Sequence, residues 1–273
     1  MPELPEVETV CRGLKPILEG QRIARLTLRR KDLRIPFPQG LAQTLTGHRV
    51  MRIARRAKYI LLHMDDDHVA IIHLGMAGRM QIVDPATPLE AHDHVIIVTD
   101  SGAEIRFNDP RRFGLMTFTT EAALDSHKLF AHLGPDPMGN GFNAPFLVAA
   151  LKGRKTAIKL ALLDQRIVVG IGNIYASEAL HRAGISPKRR AGTVTLARAE
   201  VLVPAIKQVL QDAIAAGGSS LRDHVQPSGE LGYFQHAWRV YGRAGEPCPV
   251  CATAVTRLVQ GARSTFYCRV CQR

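Results

Sequence analysis

Long apolar runs are missing from this 273-residue chain. The longest, around 69–72, is strand-sized, far short of the roughly 20 residues a membrane-spanning helix needs, so no membrane role is expected. Signal chemistry is missing as well. The opening Met-Pro-Glu-Leu-Pro-Glu is acidic and proline-bearing, whereas targeting segments are basic and either apolar or amphipathic. The expected compartment is the cytoplasm or nucleoid. No internal repeat is present. A Gly-x-Gly occurs at Gly170 and Gly172, but no clear strand of a βαβ unit precedes it, which excludes a dinucleotide fold and leaves no nucleotide cofactor to expect. Acidic residues are in deficit, with 24 Asp plus Glu against 36 Lys plus Arg and a formal net charge of +12. Such a surplus points to a polyanionic partner, most often nucleic acid. On charge alone, a basic protein merely kept soluble by its charge fits too.

Cysteine is scarce, and its placement is the strongest signal in the chain. Four of the five cysteines stand near the C-terminus as Cys248-x2-Cys251, a sixteen-residue gap and Cys268-x2-Cys271. This spacing suits four thiolates around one structural Zn2+. Two disulfides in a small secreted module are the alternative, which the chain length and the absent signal segment disfavour. The gap carries Arg257 and Arg263, and Arg269 lies inside the second pair, so the metal would brace a basic hairpin. Cys11 stands apart and reads as a small apolar core residue.

With 46% hydrophobic residues, the chain can bury one large core or two smaller ones. Residues 6–18 read as a helix with Val7, Val10, Cys11, Leu14 and Leu18 on one stripe. Short, often β-branched segments follow at 22–28, 49–53, 59–64, 69–74, 79–83, 94–99, 104–107 and 115–118, an antiparallel sandwich or barrel pattern. Gly and Pro crowd 133–145, marking a hinge. Beyond it, 145–151, 157–163, 174–183 and 196–216 fit helices. The expected architecture is α+β with two domains: a β-sandwich domain flanked by helices at 1–132, a hinge at 133–145, a helical domain at 146–238 and a zinc finger at 239–273.

Two further features carry chemistry. Loss of Met1 would leave Pro2 with a free secondary amine, able to attack a sugar anomeric carbon and form an iminium, with Glu3 near as a general acid. The same residues also suit a plain helix start, with Pro5 in the first turn and Glu3, Glu6 and Glu8 complementing the dipole. At Gly170-Ile-Gly-Asn173, backbone amides and the Asn173 side chain are placed to meet a phosphate, or form only a tight interhelical turn.

Together these segments resemble the formamidopyrimidine-DNA glycosylase family, bifunctional base-excision repair enzymes for oxidised purines. The resemblance spans the whole chain. It rests on Pro2-Glu-Leu-Pro-Glu-Val-Glu8, Arg56-Ala-Lys-Tyr59, His73-Leu-Gly-Met76, His92-Asp-His94 and Asp109-Pro-Arg-Arg-Phe-Gly114. It continues through Lys155-Thr-Ala-Ile-Lys159, Val169-Gly-Ile-Gly-Asn-Ile-Tyr-Ala-Ser-Glu178, Tyr241-Gly-Arg243 and Thr265-Phe-Tyr-Cys268. The resemblance implies a helix-two-turn-helix element in the helical domain and a zinc-ribbon hairpin. It implies Pro2 as the Schiff-base nucleophile, Glu3 as proton donor, Lys58 as a phosphate contact assisting β-elimination, and Arg263 as a phosphate grip assisting δ-elimination. It places His92, Arg111, Arg154 and Asn173 on DNA, with Met76, Arg111 and Phe113 filling the gap left by an extruded nucleotide. Read singly, Lys58, Arg154 and Arg263 could be solvated cations, His92 a loop histidine, and Met76 and Phe113 sandwich core. The loop at 217–234, with Ser219 and Ser220, suits closure over a flipped purine. The implied partner is damaged double-stranded DNA, bound by a monomer. Two rivals stand: the related endonuclease VIII family for oxidised pyrimidines, and a non-catalytic zinc-ribbon DNA-binding protein.

Overall fold

The computed structural model describes residues 2–219, 227–229 and 231–273. Met1, Ser220, residues 221–226 and residue 230 lie outside the described residues, and with them the expected loss of Met1 and the middle of the expected recognition loop. Two compact units emerge, Met1–Ala131 with Ala216–Gln235, and His132–Ala215 with His236–Arg273.

The first unit opens with α1 (Leu4–Leu18). A capping box between Glu3 and Glu6 and Pro5 in the first turn start it, and the stripe Val7, Val10, Cys11, Leu14 and Leu18 is buried. Eight strands follow: β1 (Ile23–Leu28), β2 (Val50–Arg56), β3 (Tyr59–Met64), β4 (His68–His73), β5 (Arg79–Val83), β6 (Asp93–Thr99), β7 (Glu104–Asn108) and β8 (Leu115–Thr120). They form two four-stranded antiparallel sheets, ordered β1-β6-β7-β5 and β2-β3-β4-β8. The two sheets and α1 enclose one core that includes Ile53, Ile60, Leu62, Ile72, Val95, Ile97, Ile105 and Phe107. Cys11 belongs to that core, where burial pushes its thiol up to about 12. A short helix α2 (Leu41–Leu45) adds Leu41 and Leu45 to it. The ends of the 217–234 segment belong to this unit: Tyr233 N–H donates to Ala216 O (2.9 Å) and Phe234 N–H to Gly218 O (3.0 Å).

The second unit holds α3 (Ala144–Leu151), α4 (Ile158–Leu162), α5 (Asn173–Arg182) and α6 (Leu196–Ala215), then the hairpin β9 (Thr256–Gln260) and β10 (Arg263–Tyr267). Helices α3 and α5 pack on α6, burying Leu147, Leu151, Leu180, Leu202, Ile206 and Leu210. No helix among the described residues is long and apolar enough to cross a membrane.

Candidate active site and nucleic-acid interface

The head of α1 is a polar junction. Pro2 is buried, and Glu3 and Glu6 keep 4% and 2% of their exposure. The Glu6 carboxylate accepts the Glu3 N–H (2.9 Å) through one oxygen and the Ser219 N–H (2.9 Å) through the other. It thereby fastens the start of the 217–234 segment to the residue following Pro2. Gly218 makes the approach possible. Its backbone is left-handed (φ +83°), and a Cβ there would stand 3.3 Å from the Glu6 side chain. Glu3 therefore both caps the helix and stands next to the candidate nucleophile.

Lys58 sits in the tight turn between β2 and β3, after Ala57 with φ 54°, and is buried. His73, at the end of β4, lies in its field. Burial first, then the Lys58 and Arg34 charges, pull the His73 pKa down to about 4. The ring is thus neutral near pH 7, with Nδ1 accepting the Gly75 N–H (2.9 Å). It also packs on Tyr59, with ring centroids 4.9 Å apart.

The expected gap-filling residues lie at the surface, and the backbone holds them together. Met76 is 39% exposed and Phe113 43%, which rules out the core reading. Gly75 is left-handed (φ +67°), and a Cβ on it would meet the Phe113 carbonyl carbon at 2.3 Å and Gly114 N at 2.4 Å. Only glycine lets the two loops touch backbone to backbone. Buried Asp109 fixes the second loop by accepting the Gly114 N–H (2.7 Å). Exposed Arg111 lies with its guanidinium 5.0 Å from the Phe113 ring centroid, a cation–π pair.

Exposed His92 is placed by a buried charge network. Arg106, 3% exposed, donates to Thr87 O (2.7 Å), Pro88 O (2.9 Å), Glu104 (2.6 Å) and Asp93 (3.3 Å). Asn108 adds Glu90 (3.1 Å) and Asp93 (2.9 Å). The loop that ends at His92 is thus tied to β7 from below, and His92 O accepts the Asp109 N–H (3.0 Å).

In the second unit, Asn173 opens α5 and shares a buried lysine with the hairpin. Lys159, fully buried, donates to Asn173 Oδ1 (2.6 Å), Ser264 O (3.1 Å) and Thr265 Oγ1 (2.7 Å). Asn173 Nδ2 donates to Ser264 O (2.9 Å) and the Tyr241 hydroxyl (3.4 Å). Arg263, the exposed first residue of β10, follows a two-residue turn in which Gly261 and Ala262 are both left-handed (φ 54° and 59°). That is the backbone a two-residue hairpin requires. Arg154 is half-buried, donating to Ala150 O (2.9 Å) and facing Asp164 at 3.5 Å.

The four C-terminal cysteines converge, their sulfurs all within 4.8 Å of one another. Cys248–Cys271 and Cys251–Cys268 sulfur distances are 3.9 and 3.4 Å. A tetrahedral zinc with bonds of about 2.3 Å has sulfur–sulfur edges of about 3.8 Å. The set fits one structural zinc, with every coordination position taken by protein.

Comparison with known proteins agrees with this geometry. Residues 1–116 match the formamidopyrimidine-DNA glycosylase N-terminal domain, 133–225 the H2TH domain of the same enzyme and 245–273 the zinc finger found in FPG and IleRS. Formamidopyrimidine-DNA glycosylases of Ruegeria sp. (strain TM1040) and Acidiphilium cryptum (strain JF-5) are each 56% identical, with all of both chains covered. The chain belongs to the formamidopyrimidine-DNA glycosylase family. The crystal structure of the Thermus thermophilus MutM (Fpg) protein superposes with a TM-score of 0.89 at 36% identity, covering 99% of this chain and 98% of that one. A Lactococcus lactis Fpg complexed with abasic-site DNA gives 0.92 at 32% identity, covering 99% of each.

The structure brings Pro2, Glu3 and Glu6 to one helix head, sets the Gly75–Met76 loop against the loop bearing Arg111 and Phe113, and links Asn173 to the hairpin bearing Arg263. Arg154 is held by Ala150 and Asp164. Sequence reasoning passed over His73, Arg106 and Lys159 as site residues. His73 and Lys159 stood inside quoted motifs, and a histidine or lysine within an apolar strand or helix is the signal that could have marked them.

Proposed function

We propose that this protein removes oxidised purines, 8-oxoguanine and formamidopyrimidines, from duplex DNA and cleaves the abasic site by β,δ-elimination. The observation that carries the reading is the exposed Met76–Arg111–Phe113 set on interlocked backbones, in the same unit as the buried Pro2–Glu3 helix head. A base within a stacked duplex cannot be reached, so it must be flipped out and its gap filled. A thioether, a guanidinium and a ring suit that gap.

After removal of Met1, the Pro2 nitrogen attacks C1′ and the glycosidic bond breaks, while Glu3 supplies the proton that opens the sugar or leaves with the base. The resulting iminium withdraws electrons. Loss of a C2′ proton expels the 3′ phosphate, and a second elimination expels the 5′ phosphate. Lys58 assists the first from the turn before β3, and Arg263 assists the second from the zinc hairpin. Asn173, Arg154 and His92 hold the flanking backbone. Zinc shapes the hairpin and, fully coordinated by thiolates, offers no position to a water. The protein acts as a monomer on damaged double-stranded DNA in the bacterial cytoplasm or nucleoid, without a nucleotide cofactor. Its proposed domains are the sandwich at 1–132, the hinge at 133–145, the helical domain at 146–238, whose lesion loop has its ends in the first compact unit, and the zinc finger at 239–273.

The test is a paired excision assay on duplexes carrying 8-oxoguanine or thymine glycol. Preferential release of 8-oxoguanine is expected. Preference for thymine glycol would assign the chain to the endonuclease VIII type of specificity, and binding without excision would leave only a zinc-ribbon DNA-binding protein.

A further inference from the structure

Helix α5 approaches the zinc module at its far end. Asn173 begins the helix, and Glu178 accepts three consecutive amides, Arg239 (2.9 Å), Val240 (3.0 Å) and Tyr241 (2.8 Å). One turn on, His181 is buried with Nε2 3.4 Å from the Cys248 sulfur. Cys248 is itself 2% exposed. A zinc-bound thiolate carries no proton, so the hydrogen in this contact belongs to the ring. At 3.4 Å the separation suits an N–H···S bond, sulfur being larger than oxygen. Among the described residues, His181 Nδ1 is buried with no hydrogen-bond partner. The contact to sulfur is therefore the ring's polar anchor, and a polar ring is costly to bury without one.

We propose that His181 is a zinc-positioning residue: from α5 it donates a hydrogen bond to the Cys248 thiolate and slows loss of the metal. Four thiolates around one Zn2+ leave a net charge of −2 in a largely buried site, and donors to sulfur disperse that charge and orient the ligand. Cys268 draws such a donor from within the module, the Cys271 N–H at 3.4 Å. His181 supplies one from a helix outside it. The consequence is that the helix presenting Asn173 is joined by a hydrogen bond to a ligand of the metal that braces Arg263, independently of which base the enzyme removes.

The test uses the full-length zinc-loaded protein. His181→Phe fills the same space without a donor, and His181→Leu is a second donor-free variant should the larger ring fail to pack. His181→Gln keeps an N–H within reach. Zinc transfer to a chromogenic chelator should be about tenfold faster in the donor-free variants, with His181→Gln nearer the parent. In cobalt-substituted protein, the sulfur-to-cobalt charge-transfer band should move to lower energy in the donor-free variants and partly return in His181→Gln, because loss of the hydrogen bond raises the sulfur lone pair. Release rates and bands equal to the parent's in a folded donor-free variant would overturn the proposal. Equal acceleration in the donor-free and Gln variants, with no band shift, would also overturn it and reduce His181 to packing.

Discussion

The two units hold their working side chains by opposite means. The sandwich has a large apolar core from two sheets and α1, and its exposed Met76, Arg111 and Phe113 stand on loops that lock because glycine lets backbones touch. The zinc module has a core of only Val240, Cys248, Val255 and Cys268, with a few half-buried neighbours. Its hairpin is held by thiolates and by the Lys159 ammonium, and the Glu178 carboxylate holds the segment at 239–241 that leads into the module. A two-stranded hairpin alone is marginal in water. Where apolar area is too small to fix a surface arginine, metal and buried charge take its place. The proposed division of labour follows the same line: the nucleophile, its proton donor and the gap-filling side chains stand in the first unit, and Asn173, Arg154 and Arg263 grip phosphates from the second.

Glu3→Gln probes the chemical side and carries the largest expected effect. Base removal should fall by about two to four orders of magnitude while lesion-duplex binding survives, as read by single-turnover excision beside a gel shift. Normal excision would reduce Glu3 to its capping role. On the grip side, chelation or Cys268→Ser should abolish lesion binding while circular dichroism of sheets and helices persists. Arg263→Ala should keep its zinc yet bind roughly ten- to a hundredfold more weakly, since a guanidinium on phosphate is hard to replace. Normal binding by the zinc-free protein would erase the contrast.

Acid sharpens it further. The His73 pKa is lowered to about 4, so the unfolded chain binds the proton first. Stability linked to this ring is present above pH ~6.5 and is lost as pH falls from there towards about 4, by on the order of 3 kcal/mol. His73→Asn keeps an acceptor for the Gly75 N–H without titrating there. It should flatten that part of the pH–stability curve measured by denaturant melts, whereas an unchanged curve would remove His73 as the source. The smallest effect concerns salt. Lys58→Ala and Arg154→Ala should each reduce the slope of log binding constant against log salt by roughly one, and an unaltered slope would take that residue off the phosphate list.

The eight strands and main helices were legible because each has an apolar rhythm bounded by Gly, Pro or Asp. The exception, α2, buries only Leu41 and Leu45, a two-position signal, whereas the equally short α4 buries Ile158, Ala161 and Leu162. The zinc ligands were legible from spacing alone. Other site details depend on contacts far apart in sequence. Both lysines of Lys155-Thr-Ala-Ile-Lys159 look alike as charges, yet Lys155 is exposed and Lys159 fully buried, because α5 and β10 bring neutral oxygens to one of them. Arg106 likewise reads as an ordinary strand cation until Thr87, Pro88 and Asp93 fold over it. Glu6 reads as a helix-dipole partner, and only the return of the chain at Ser219 gives its second oxygen a role.

The most direct test of the account is borohydride trapping on an 8-oxoguanine duplex, parent beside Pro2→Gly, with the mass of each N-terminus measured. The account predicts a Met1-free parent that traps covalently through its terminal nitrogen and a glycine variant, with only a primary amine, that traps poorly. Equal trapping by both, or efficient trapping by a parent that retains Met1, would contradict it and move the nucleophile to another side chain.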